Sequence, residues 1–162
     1  MAPDWCLMGL AATWPRCLPT RIKKSRCAFP IDDRWLKFST ADLELLALDW
    51  LDELRGEVTN EKVVSSSVTW MGFTAPPELQ WNFIMAAVRF ASTDEELGHI
   101  AAGPMECLLS RYGADVIDRF EERARLDSKF ARAMTGVWRH LMSDDVWQRV
   151  ATIQSGVSDP LN

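Results

Sequence analysis

From Ser39 onward apolar residues recur every three or four positions, the spacing that gathers side chains on one face of an α-helix. Leu43, Leu46, Ala47, Trp50, Leu51 and Leu54 form the first such stripe. Ser39 and Thr40 offer side-chain oxygens to the free amides at its start, and Gly56 offers a left-handed stop at its end. The opposite face carries Asp42, Glu44, Asp49, Asp52 and Glu53. Residues 57–75 follow neither a helical nor a strand period. Val63, Val64, Val68 and Trp70 stand there beside a serine triplet, so the stretch reads as a long loop, with a short β-hairpin as the alternative.

Helical periodicity returns at Pro76-Pro77, where proline fits a first helical turn. Leu79, Trp81, Phe83, Ile84, Ala87, Val88 and Phe90 then cover most of the circumference, which predicts a central helix. Ser92-Thr93-Asp94-Glu95 is a capping-box pattern that starts a short helix through Ala102. Gly103 is expected to end it and Pro104 to start another, which closes near Tyr112 with Gly113 as a left-handed terminator. Asp115 caps a further stripe of Val116, Ile117, Phe120 and Ala124. One helix is expected from about Ser128, with Phe130, Met134, Val137, Trp138 and Leu141 inward. Another runs from about Asp144, with Val146, Trp147, Val150 and Ile153 inward and Gly156 at its end. The pattern predicts an all-α fold, a compact bundle or HEAT-like stack of about six short helices. It divides the chain into an irregular arm over residues 1–30, one helical domain over 31–156 and a tail over 157–162.

Composition narrows the class. At 162 residues, 48% hydrophobic and 25% charged, the chain can bury a core without disulfides or metal. Eight tryptophans against one tyrosine weight the aromatic content toward the side chain with the most area to bury, in a core or at an interface. Residues 1–30 carry +4 (Arg16, Arg21, Lys23, Lys24 and Arg26 against Asp4), which leaves −9 on the remaining 132 residues of a chain whose net charge is −5. An acidic body argues against nucleic-acid binding, which needs a Lys/Arg surface, and favours a basic protein partner. Cys6, Cys17 and Cys27 match no zinc or redox spacing, and Cys107 reads as a small buried hydrophobe. The apolar stretch from Leu7 to Ala12 is too short to span a bilayer and precedes the positive charge that a secretory signal carries first. A reducing, cytoplasmic setting without membrane contact is therefore expected.

Pro77-Glu78-Leu79-Gln80-Trp81-Asn82-Phe83-Ile84, Ala102-Gly103-Pro104-Met105-Glu106-Cys107-Leu108-Leu109, Tyr112-Gly113, Val137-Trp138 and Asp145-Val146-Trp147-Gln148-Arg149-Val150 together resemble an uncharacterised bacterial domain family of unknown function. The resemblance runs from about Pro76 to Ile153. Members of that family favour Leu where Met105 stands and an acidic residue where Cys107 stands. The resemblance implies a bacterial, cytoplasmic helical domain and brings no activity, cofactor or catalytic residue with it.

Candidate chemistry is sparse. Glu96 and His99 share a helix face at the spacing used in di-iron bundles, but such sites need a second motif and two further glutamates, and no glutamate stands at that spacing from His140. Phosphate-loop, nucleophile-elbow and zinc-protease motifs are missing from the sequence, so neither metal nor cofactor is expected. Glu106 sits where a carboxylate favours free amides of a first turn, and Glu121 and Arg149 suit an ion pair between helices. Two functions are consistent with these residues. One is a non-catalytic, immunity-like protein-binding domain that meets a basic partner through Asp42, Asp49, Asp52 and Glu53. The other is an enzyme or ligand-binding domain with a cleft near Glu106, Glu121, Trp138, Trp147 and Arg149.

Overall fold

The helices Thr40–Arg55 and Pro77–Phe90 bury their apolar stripes against each other, and Asp94–Ile100, Glu106–Leu126 and Ser128–Met134 also pack on the second of them. The computed structural model describes residues 30–57 and 64–161; the expected basic arm, apart from Pro30, lies outside them. A 3-10 turn over Asp33–Lys37 leads into α1 (Thr40–Arg55), α2 (Val64–Thr74), α3 (Pro77–Phe90) and α4 (Asp94–Ile100). A π-turn over Ala101–Met105 joins α4 to α5 (Glu106–Leu126), and α6 (Ser128–Met134) and α7 (Asp144–Ser155) complete the fold. The described residues contain no strand, so the all-α class holds.

The ends of α1 follow from its sequence. Ser39 accepts from the Asp42 amide while the Asp42 carboxylate accepts from the Ser39 amide, and Gly56 closes the helix at φ 74°. Pro77 occupies the first turn of α3. Trp81 of α3, Phe120 of α5 and Phe130 of α6 meet in an aromatic triangle with centroids 5.1, 5.8 and 5.6 Å apart. All three are buried, and Trp50 packs on Phe83 between α1 and α3.

Four expectations are corrected. Residues 57–75 are not one long loop: they contain α2, which buries Val68 and Met71. Its valines, serines and threonines are weak helix formers. Its first amides, those of Val64 and Ser65, donate instead to the Glu53 carboxylate of α1, a cap supplied across the fold. Gly103-Pro104 does not separate two helices. Proline lacks an N–H and its ring crowds the carbonyl four residues back; the wider π-turn absorbs both defects, and the Glu106 amide reaches the Ala101 carbonyl five residues earlier. Gly113 is not a terminator either, because α5 runs through it and Gly56 alone among the described residues has positive φ. A Cβ at Gly113 would stand 2.8 Å from Cγ1 of Val146, so this glycine lets α7 approach α5.

The helix begun at Ser128 does not continue to Leu141. It ends at Met134 with Thr135 as its C-cap, and Gly136 just beyond is pressed so close to the π-turn that a Cβ there would sit 3.0 Å from Cβ of Ala101. Val137 is buried as expected, but Trp138 and Leu141 are 73% and 75% exposed. Beyond α7 the expected tail is partly tied down, since the Leu161 amide donates to Thr135 Oγ1 at 2.9 Å and its side chain packs against the core.

Candidate functional site

Trp138 and Leu141 stand on the non-helical link between α6 and α7, and the link is braced at its root. Glu106, the first residue of α5, accepts a hydrogen bond from the Trp138 amide at 2.7 Å. Gln154 of α7 donates through Nε2 to the carbonyls of Met134 and Val137, at 2.9 and 2.8 Å. Val137 and Met142, on either side of the exposed pair, are buried. Arg139 pairs with Asp144 in the first turn of α7, and His140 is exposed between Trp138 and Leu141. Backbone bonds and buried neighbours thus hold the loop while two large apolar side chains face water.

The π-turn sets the angular position of Glu106, because one extra residue per turn rotates everything after it. Burial raises the Glu106 carboxyl to about 7, although the Trp138 amide pulls in the opposite direction. A carboxyl in that range can exchange protons near neutral pH. Among the described residues no group of three or more His, Cys, Asp and Glu is placed to hold a metal ion.

The expected cleft divides into separate places. Glu106 and Trp138 meet, as described. Arg149 lies elsewhere: its Nε donates to Glu121 Oε1 at 2.7 Å and its Nη2 to Asp118 Oδ1 at 2.5 Å, clamping α7 to α5. Hydrogen bonding to Arg149 lowers the Glu121 carboxyl, as expected for a structural ion pair. Fifteen residues of helix separate Glu106 from Glu121, about 22 Å at the usual rise, so they do not share a cleft. Trp147 is half-buried against the core.

The acidic residues of α1 are less free than their periodicity suggests. Asp42 serves the capping box, Glu53 caps α2, and Asp52 pairs with Arg55 at 2.9 Å. Asp49 is the exposed member of that set with neither a capping role nor an ion pair among the described residues. Local reading did not foresee the role of Glu96. It is 3% exposed and accepts from Arg55 Nε at 2.5 Å and from the amides of Ser92 and Thr93 at 2.5 and 3.0 Å. Burial pushes this carboxyl up, but Arg55 and the two amides outweigh it and hold it at about 2. Thr93 and Glu96 form the capping box of α4, so the carboxylate that was weighed as a metal ligand is a structural joint.

The family comparison bears on these residues directly, with a match over residues 56–158. The chain belongs to a family of unknown function (DUF6869). The span of DUF6869 takes in α2 to α7, and with them Glu106, Glu121, Trp138, Trp147 and Arg149. It leaves out α1 and its acidic residues Asp42, Asp49, Asp52 and Glu53. No curated protein and no solved structure matches the chain. Among the described residues no helix is long and apolar enough to cross a membrane.

Proposed function

We propose that the chain is a non-catalytic protein-binding domain, bacterial and cytoplasmic, whose contact centres on the Trp138–Leu141 loop. The observation that carries this reading is the exposure of Trp138 and Leu141 on a loop hydrogen-bonded at its start and flanked by buried Val137 and Met142. Exposed tryptophan is the commonest kind of interface anchor, and a braced loop loses little entropy when a partner covers it. The loop also lies inside the span shared with the family.

The −9 balance over residues 31–162 favours a basic partner and speeds its approach. Asp49 is the exposed carboxylate of α1 to test: Asp49→Lys should slow association at low salt and leave the fold intact. A second reading, a small-ligand or acid–base site at Glu106, draws support from the near-neutral titration of that carboxyl.

Affinity capture from the source organism separates the two. The wild-type chain should retain a protein that a folded Trp138→Ser, Leu141→Ser variant loses and that Glu106→Gln still retains. Equal recovery by wild type and the double variant would remove the loop from the binding surface.

A further inference from the structure

A second apolar patch lies around the 3-10 turn before α1. Leu36 and Phe38 are 66% and 37% exposed there, with Ile31 at 50% just before the turn. The backbone beneath them is fixed: the Asp32 amide donates to the Thr74 carbonyl at 2.9 Å, and buried Trp35 donates through Nε1 to Thr74 Oγ1 at 2.8 Å. Beside the turn runs a groove of about 250 Å³, walled by Trp35, Leu36, Phe38, Leu43, Pro76 and Leu79.

The charges around this patch identify what would cover it. Asp32 is paired with Arg34, and Glu78 at the groove with Arg119. Asp33 and Lys37 are both exposed and form no ion pair among the described residues. They occupy opposite ends of the 3-10 turn, about 8 Å apart along its axis at the usual rise, and are not paired with each other. Among the described residues, one unpaired negative charge and one unpaired positive charge therefore flank the same apolar centre. An unrelated partner needs no such symmetry, whereas a two-fold interface requires a patch that complements itself.

We propose that two copies of this chain associate about a two-fold axis through this patch. Their 3-10 turns run antiparallel, each copy's Leu36 enters the other's groove, and Asp33 of each pairs with Lys37 of the other. This surface is distinct from the Trp138–Leu141 loop, and its existence does not depend on the function proposed for that loop.

Sedimentation velocity of the full chain from about 1 µM to a few hundred micromolar tests it, a range that spans weak to micromolar association. The expected result is a reversible shift from 18.4 kDa toward twice that mass. Leu36→Asp should raise the dissociation constant at least about tenfold, as expected when an anchor is lost. Asp33→Lys and Lys37→Asp should each weaken the dimer, and the Asp33→Lys, Lys37→Asp double exchange should restore it. Circular-dichroism melts of the dilute variants establish that each remains folded. A monomer at every concentration would overturn the proposal. So would a dimer indifferent to Leu36→Asp, or a double exchange weaker than both single variants.

Discussion

Replacing Glu96 by Gln changes one buried atom and removes a charge on which two helix ends converge. The wild-type carboxylate receives Arg55, at the end of α1, and the Ser92 and Thr93 amides that precede α4. Glutamine keeps one acceptor and puts an amide donor against either the guanidinium or the backbone amides. Each lost charge-assisted bond is worth about 1.5–3 kcal/mol. The Arg55 side chain is 27% exposed, so water recovers part of its loss, and the expected destabilisation is about 3 kcal/mol. The acid dependence has a definite sign. The folded carboxyl is held at about 2, below its ordinary value of 4.5, so its stabilisation is complete above 4.5 and is lost as pH falls toward 2. Urea titrations at neutral pH and through that acid window measure both quantities. Glu96→Gln should lose less stability across the window than wild type does. A neutral-pH change below about 1 kcal/mol, with an unaltered acid slope, would refute the role given to this joint.

The remaining predictions concern packing and the loop. Gly113→Ala should destabilise by about 1–2 kcal/mol, because steric pressure from Val146 exceeds the gain in helix propensity; adding Val146→Ala should relieve part of the cost, and chemical denaturation measures both. Gly98→Ala, with open space around its Cβ, should instead stabilise by about 0.5–1 kcal/mol. Glu106, raised to about 7 by burial, binds its proton more tightly folded than unfolded, so its contribution to stability falls as pH rises from 4.5 to 7. After solvent screening that fall is about 1 kcal/mol, and Glu106→Gln should flatten it in the same titration. Trp81→Ala should cost about 3–5 kcal/mol in the aromatic triangle, whereas Trp138→Ala should cost under about 1 kcal/mol; a large loss at Trp138 would place that indole in the core.

The helix ends that announced themselves locally were legible in the sequence. Ser39 and Gly56 frame α1, Pro77 starts α3, and α7 starts at Asp144, each as the local pattern predicts. What escaped local reading depends on contacts distant in sequence. The start of α2 is capped by Glu53, 11 residues earlier on another helix. Gly113, expected to end a helix, lies inside α5 against Val146, and Gly136, inside the expected helix, lies beyond the end of α6 against Ala101. The same displacement decided the candidate site: once α6 ends at Met134, Trp138 leaves the apolar stripe and becomes exposed. Glu106 and Trp138 were both marked as candidates, but their union through a backbone amide depends on a π-turn that no local period signals.

Titration calorimetry of the captured partner against wild type and Trp138→Ala most directly tests the claim that the Trp138–Leu141 loop is the binding surface. Trp138→Ala should weaken affinity by at least about 2 kcal/mol, roughly thirtyfold, while its unfolding midpoint stays near that of wild type. Unchanged affinity, or a loss fully accounted for by unfolding of the variant, would contradict it.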